Sequence, residues 1–436
     1  MNFADPLVYV RAVHFAATIG AAGAVFFQVL IAEPAFAATR DALPPAIERL
    51  RHRFAWLVWT GVAVAILSGA IWLGLLAADI YDTPAAEVWR NGGVWTVASE
   101  TRFGQVLLGR LALAITLALI ILTARSAASR PRWDVIAVIL AAGFLIAPAW
   151  TGHAGAAPGR GGEFLVTSDA LHLVAAGAWV GGLVPLALLL AAARRAKEPE
   201  WTTVTIVAVH RFSWLGIACV GSLLTTAFVN AWYEVGTFDA LVATDYGRLV
   251  LLKLALFAAM VAFASINRFR LTPRLAAADA ARALQRNTVA EAVLGFAAVA
   301  AVGFLGAMAP ASHLHHHEAY GGAVPADAAF VHIHSDVMAE VTLMPGHAGT
   351  ARASIQLFDE HFEPLIAQDV TLTLTPPHTA SKPITYIAVP GGHDTWQVGR
   401  VALTQPGNWT VTVGAALGRN RRLDVGPAPI VIEPAP

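Results

Sequence analysis

Residues 168–193 read SDALHLVAAGAWVGGLVPLALLLAAA, a stretch in which Asp169 and His172 are the only residues able to carry a charge. About 20 apolar residues in an α-helix, rising 1.5 Å each, cross the roughly 30 Å hydrocarbon core of a bilayer. The stretch therefore predicts a transmembrane helix with a histidine inside it.

The rest of the chain contains seven more apolar runs of similar length. Hydrophobic residues make up 57% of the 436 residues and charged residues only 13%. In a typical soluble protein, about a quarter of the residues are charged. The formal net charge is zero, so no basic field predicts a nucleic-acid partner. We predict that the lipid bilayer surrounds eight helices, which lie near 7–32, 54–78, 103–124, 133–151, 168–193, 212–232, 246–266 and 287–309.

The charged residues between these helices predict which side each connection faces. Lys and Arg accumulate on the cytoplasmic side of a membrane. They crowd the first, third, fifth and seventh connections, as at Arg49, Arg53 and Arg268, while the second, fourth and sixth connections are mainly acidic. We therefore expect a multi-pass protein of a bacterial inner membrane, with its N- and C-termini in the periplasm.

The chain also repeats itself. His14 and Gly23 recur as His172 and Gly181 at an offset of 158 residues, which also carries the motif at 52–56, His-Arg-Phe-x-Trp, onto 210–214. Thr101-x-x-Gly104 and Arg110-Leu-Ala-Leu recur at an offset of 143 as Thr244-x-x-Gly247 and Lys253-Leu-Ala-Leu. Recurrence of polar residues in register indicates duplication. The predicted bundle thus consists of two parallel four-helix repeats, residues 1–151 and 152–310.

The duplication brings histidines into pairs and so predicts a metal site. His14 and His172 lie within about two turns of the predicted outer ends of their helices, and His153 and His313 emerge at the same face. Imidazole nitrogen suits copper, zinc, iron and nickel. The sequence predicts that these four imidazoles converge on one ion between the repeats. The alternative for each is a packing histidine satisfied by a hydrogen bond.

Other polar residues inside the predicted spans are interpreted as supports. Arg110 and Lys253 form a second pair, which we expect to partner an acidic group such as Asp169 or to extend toward the headgroups. Glu33 and Glu291 lie toward the predicted cytoplasmic ends of their helices, where they could mark an inner exit.

Beyond a His-rich linker at 311–324, residues 325–436 change character. Apolar runs shorten, alternation appears, and Pro-Gly turns separate candidate strands at 331–343, 351–358, 370–375, 384–389, 397–403 and 409–413. This pattern predicts a small periplasmic β-sandwich. His332 and His334 alternate along the first strand and so share a face, and Met338 keeps that parity. We predict that these three residues capture metal.

Nothing in the sequence predicts catalysis: it has no phosphate-binding loop, no nucleophile elbow and no His-Glu-x-x-His motif. The protein is expected not to be an enzyme. Two alternatives stay open. Paired imidazoles on facing helices could bind haem in a membrane redox protein, or the chain could be a copper sensor or assembly scaffold without transport.

Several of these segments together resemble the copper resistance protein D family. The likeness rests on Ser168-Asp169-Ala170-Leu171-His172, on Gly177-Ala178-Trp179-Val180-Gly181-Gly182-Leu183, and on the stretches at 211–232, 244–253 and 267–273. The resemblance implies copper as the ion, uptake from periplasm to cytoplasm in copper homeostasis and resistance, and a periplasmic copper carrier protein as a partner.

Overall fold

The computed structural model describes residues 5–39, 44–81, 83–123, 130–151, 159–196, 200–234, 241–242, 244–306, 328–334, 337–358, 365, 367–377, 382–391, 395–418 and 421–435. The chain divides into a helical unit, residues 1–152 with 165–312, and a β unit, residues 153–164 with 313–436.

The described part of the helical unit contains eight helices long and apolar enough to cross a membrane. They are α1 (Pro6–Ala37), α2 (Pro44–Tyr81), α5 (Arg102–Thr123), α6 (Arg130–Ile146), α7 (Gly159–Arg195), α8 (Glu200–Glu234), α9 (Asp245–Ile266) and α10 (Ala278–Leu305). Two short helices, α3 (Ala85–Arg90) and α4 (Gly93–Glu100), lie between α2 and α5. The predicted mainly α fold with eight membrane helices is confirmed.

Several helices extend beyond the predicted spans because hydropathy detects only their apolar part. The sequence predicts a span at 54–78, but α2 begins at Pro44 and includes Arg51. The Arg51 guanidinium donates to both carboxylate oxygens of Glu33, at 2.9 and 2.6 Å. A two-pronged ion pair of this kind fixes the polar ends of α1 and α2 together.

Two equivalent threonines begin helices in the two halves of the bundle. The Thr101 hydroxyl accepts a hydrogen bond from the Gly104 amide at 3.0 Å, and the Thr244 hydroxyl accepts one from the Gly247 amide at 2.9 Å. Such caps satisfy amides that have no partner within the helix. The motif that recurs at an offset of 143 therefore has the same local structure at the start of α5 and of α9.

The two halves meet where α1 passes α7 with almost no side chain between them. A Cβ atom added to Gly23 would lie 2.3 Å from the backbone of Gly181, and one added to Gly181 would lie 2.2 Å from the carbonyl oxygen of Ile19. Glycine is required at both positions because only a hydrogen atom fits. The recurring pair Gly23 and Gly181 thus forms a backbone-to-backbone contact between the repeats.

The β unit is one antiparallel sheet of eight strands, in the spatial order β1-β2-β3-β6-β5-β4-β7-β8. The strands are β1 (Ala329–His334), β2 (Met338–Met344), β3 (Gly349–Phe358), β4 (Asp369–Thr375), β5 (Ile384–Pro390), β6 (Thr395–Leu403), β7 (Gly407–Gly418) and β8 (Arg421–Ile432). The edge strands β1 and β8 contact each other, so the sheet nearly closes around a core that includes Trp409, Ile355 and Leu372. The predicted small β-sandwich is thus a curved, nearly closed sheet.

Two details of the β prediction are wrong. The single strand predicted at 331–343 is a hairpin, in which β1 ends at His334 and β2 begins at Met338. Alternation continues across the two arms of the hairpin, so hydropathy shows no break. Met338 therefore pairs with His334 across two strands instead of following it on one. The last strand, β8, was not predicted because Pro427 and Pro429 interrupt its pattern.

The contact at Gly23 yields a test of the packing. We expect Gly23→Ala to lower the free energy of unfolding by about 1–3 kcal/mol, because the added methyl group overlaps the α7 backbone. Thermal unfolding in detergent measures the change. Gly109→Ala in α5 is the matched control, since nothing lies within 4 Å of its added Cβ and alanine favours a helix. Equal melting temperatures for the two variants would contradict the close contact.

Candidate metal centres in the helical bundle

His14 is completely buried in α1, eight residues after the helix begins, and packs between α2 and α5. Its ring lies edge-on to Trp72, with the two ring centres 5.6 Å apart. The ring nitrogen Nδ1 lies 3.1 Å from the Ala65 carbonyl oxygen and 3.1 Å from the Ser68 hydroxyl. Gly69 makes room for the ring, because a Cβ atom there would lie 3.3 Å from His14 Cε1.

These contacts decide which nitrogen of the neutral His14 ring carries the proton. A carbonyl oxygen can only accept, and the Ser68 hydroxyl donates its own hydrogen to the Val64 carbonyl at 2.6 Å. Nδ1 is therefore the donor, and the lone pair is on Nε2. Nε2 is buried and has no hydrogen-bond partner among the residues that the structure describes. Metal-binding histidines commonly show this arrangement, in which one nitrogen donates to the protein and the other is left for the ion.

The second half repeats the arrangement at His172. His172 Nδ1 lies 2.9 Å from the Thr226 hydroxyl, which donates to the Ser222 carbonyl at 2.8 Å and so accepts from the imidazole. Ser68 and Thr226 differ by 158 residues, the same offset as the two histidines. The structure thus adds a hydroxyl to each half-site. Neither hydroxyl residue is among the sequence predictions, although their common offset is visible in the sequence.

A basic side chain completes each centre. The positive charges of Arg110 on α5 and Lys253 on α9 act electrostatically on His14 and His172, respectively. Arg110 is 4% exposed, donates to the Thr18 hydroxyl at 3.3 Å and lies over the Phe144 ring at 5.4 Å. Each half therefore contains one histidine, one hydroxyl and one cation, on three successive membrane helices. We call them the His14 centre and the His172 centre.

The contacts of these two centres lie within their own halves of the bundle. Among the residues that the structure describes, no three His, Cys, Asp or Glu side chains are grouped closely enough to hold a metal ion. His153 and His313 lie outside the described residues. Convergence of His14, His153, His172 and His313 on one ion therefore stays a prediction.

Asp169 belongs to a hydrogen-bond network between two helices, and its predicted pairing with a buried cation stays a prediction. The Asn230 side-chain amide donates to the Asp169 carboxylate, and the Ser168 hydroxyl donates to the Asn230 side-chain oxygen at 2.9 Å. This network joins α7 to α8 one turn before His172. It holds the helix that carries His172 against the helix that carries Thr226.

In the β unit, the predicted capture residues lie on two neighbouring strands. His332 pairs with Glu340, and His334 pairs with Met338. Side chains alternate between the two faces of a strand. Ala339 and Val341 face the core of the sheet, and Met338 and Glu340, on the other face, are each only 4% exposed. Both faces of β2 are therefore covered at residues 338–341. Whether His332, His334 and Met338 bind metal stays a prediction.

Comparison with known proteins identifies relatives along the helical unit. Residues 2–163 match the family model described as copper resistance protein D-like, N-terminal domain, and residues 206–305 match copper resistance protein D. The chain is 29% identical to inner membrane protein YebZ of Escherichia coli (strain K12) over 226 residues. This aligned region covers 52% of this chain and 71% of that protein.

Two further relatives have names that refer to copper. Copper resistance protein D of Pseudomonas syringae pv. tomato is 29% identical over 264 residues, 56% of this chain and 83% of the relative. Copper transport protein CutJ of Bacillus subtilis (strain 168) is 31% identical over 247 residues, 54% of this chain and 44% of the relative. No solved structure shows significant similarity to the chain.

The hydroxyl partners of the two histidines predict unequal effects when they are removed. Thr226→Val deletes the hydroxyl bonded to His172 Nδ1 and should cost about 1–3 kcal/mol of stability, because a buried donor loses its acceptor. Ser68→Ala should cost less, since the Ala65 carbonyl still accepts from His14. Thermal unfolding in detergent compares the two, and Thr226→Ser should restore stability. A larger loss for Ser68→Ala would contradict these roles.

Proposed function

Because the chain belongs to the copper resistance protein D family, we propose that this multi-pass inner-membrane protein moves copper from the periplasm to the cytoplasm. Copper is its substrate, and the activity contributes to copper homeostasis and resistance. Two relatives support copper as the substrate, because their names refer to copper resistance and copper transport.

The observation that carries the proposal is the orientation of the two membrane-embedded imidazoles. Nδ1 of His14 and of His172 is engaged by an acceptor of the same half, which leaves the Nε2 lone pairs for a ligand. A buried nitrogen acceptor without a partner, such as His14 Nε2, is costly in a hydrocarbon environment. Binding of a copper ion offsets that cost.

The two basic residues explain how the ion can also leave. Arg110 and Lys253 act on the histidines with a positive charge, so they repel a bound cation and weaken its binding. Conduction needs sites that are attractive enough to fill and weak enough to empty. We propose that imidazole ligation and cationic repulsion are balanced in this way at both centres.

The β unit supplies the ion in this proposal. The distribution of Lys and Arg favours a periplasmic location for it, and His332, His334 and Met338 offer the nitrogen and sulfur ligands that copper prefers. A separate periplasmic copper carrier protein is the other possible donor. From either source the ion passes to the His14 and His172 centres.

We expect His14→Ala and His172→Ala each to lose copper from the purified full-length protein, because each removes an imidazole whose other nitrogen is already engaged. Elemental analysis after dialysis against a weak chelator measures the copper content. His52→Ala and His210→Ala are matched controls, since these histidines are also 158 residues apart but have exposed side chains. Full copper occupancy in both test variants would contradict the proposed sites.

Two further measurements separate the alternatives. A Soret band in the absorption spectrum of the purified protein would favour haem ligation by the paired histidines over copper transport. Copper uptake into proteoliposomes that contain the wild-type protein is expected, with no uptake by empty liposomes. Copper binding without uptake would favour a sensor or scaffold.

The capture role of the β unit makes a separate prediction. The double variant His332→Ala/His334→Ala should reduce the initial rate of copper uptake at limiting copper and leave the rate at saturating copper unchanged, because it affects supply and not the membrane step. The measurement is uptake rate against copper concentration in proteoliposomes. His347→Ala, outside the pair, is the control. An equal loss at saturating copper would contradict a capture role.

A further inference from the structure

A cavity of about 220 Å³ lies in the second half of the helical unit, away from the His172 centre. Its wall is largely apolar and includes Trp179, Phe212 and Val261, but Glu291 of α10 also lines it. Glu291 is only 2% exposed. A carboxyl group buried inside a membrane helix is costly and marks a functional site by default.

The position of Glu291 separates it from the two histidine centres. Gly303 on α10 lies against Val8 and Ala12 at the start of α1, close to the level of His14. Glu291 precedes Gly303 by 12 residues, which is about 18 Å along a helix axis. The carboxyl group is therefore near the other end of the bundle, the predicted cytoplasmic end.

The described hydrogen-bond partner of Glu291 is a neutral amide. The Asn267 side-chain amide donates to one oxygen of Glu291, and the Asn287 amide donates to the Asn267 side-chain oxygen at 3.0 Å. Asn267 begins a π-helical turn, Asn267–Leu271, at the end of α9. Such turns are frequent at functional sites, and this one turns Asn267 toward α10.

The charged groups around the cavity are occupied elsewhere. Arg268 also lines the cavity, but its guanidinium donates to the Ser213 hydroxyl at 2.6 Å and stacks over the Trp214 ring at 4.7 Å. Arg194 of α7 donates to Gln285, six residues before Glu291 on α10. Within the described residues, no ion pair of Glu291 is found.

The first half of the bundle provides the contrast. There α1 carries the partly exposed Glu33, whose two carboxylate oxygens accept from Arg51 at 2.9 and 2.6 Å. Glu33 is thus paired with a fixed cation. In the described part of the chain, Glu291 accepts a hydrogen bond from the neutral Asn267 amide and has no fixed cation as a partner, so a mobile cation can neutralise it, and the smallest such cation is a proton.

We propose that Glu291 is a proton-exchanging carboxyl group that compensates the charge of copper inside the bundle. It holds a proton while the bundle is empty. When a copper ion enters, the carboxylic acid loses its proton to water in the cavity, and the resulting carboxylate balances part of the charge of the ion. When copper leaves, the carboxylate takes a proton back. The cavity volume is sufficient for several water molecules.

This inference rests on the proposed copper transport, but its first test does not. Dicyclohexylcarbodiimide adds to protonated carboxyl groups in apolar surroundings and forms a stable N-acylurea. We expect mass spectrometry of the full-length protein in detergent to find the adduct on Glu291, with no adduct at that position in Glu291→Gln. Glu33 is the internal control and should stay unlabelled. Labelling of Glu33 without Glu291 would overturn the proposal.

The second test links the proton to copper. Copper added to weakly buffered wild-type protein should release about one proton for each protein molecule, as followed with a pH indicator, whereas Glu291→Gln should bind copper and release none. Glu291→Asp retains a carboxyl group and should restore the release if Glu291→Gln folds poorly. Copper binding without proton release in the wild type would overturn this inference and leave transport standing. Absence of copper binding would instead overturn the proposed function.

Discussion

The contact between Gly23 and Gly181 is the constraint on which the helical unit depends. Apolar side chains give little preference for one helix pairing over another in lipid, because lipid tails are as apolar as leucine. Backbone contact does give a preference, since it requires a hydrogen atom at one position on each helix. The added-Cβ distances of 2.3 and 2.2 Å show how tightly α1 and α7 meet. Because these two helices carry His14 and His172, the contact also sets the relation between the two polar centres.

Duplication explains why the polar residues occur as sets. Each half presents a histidine on its first membrane helix, a hydroxyl on its second and a cation on its third, with Ser68 and Arg110 in one half and Thr226 and Lys253 in the other. In both halves the hydroxyl hydrogen goes to a carbonyl of its own helix, so the hydroxyl can only accept from the imidazole. The chemistry of each centre is therefore the same, although the hydroxyl and cation differ in identity.

Two acidic residues near the opposite end of the bundle have different surroundings. Glu33 is locked to Arg51, whereas Glu291 is held by Asn267 and lines a cavity. Glu33 has a fixed cation as its partner, whereas Glu291 accepts from a neutral amide. The proton exchange that we propose for Glu291 depends on this difference.

The sequence by itself determined the number and type of the membrane helices, because apolar length is set by bilayer thickness and is read directly from runs such as 168–193. It also determined the recurring positions His14, Gly23, His172 and Gly181. Only the tertiary structure decided what each of them contacts: Gly181 meets Gly23, and Ser68 and Thr226 orient the imidazoles. The hairpin that separates His334 from Met338 was likewise invisible, since alternation continues through it. A hydrophobic pattern shows which residues of one helix or strand face lipid or the protein core. Hydrogen-bond partners belong to different elements, so they are known only once the helices and strands are packed.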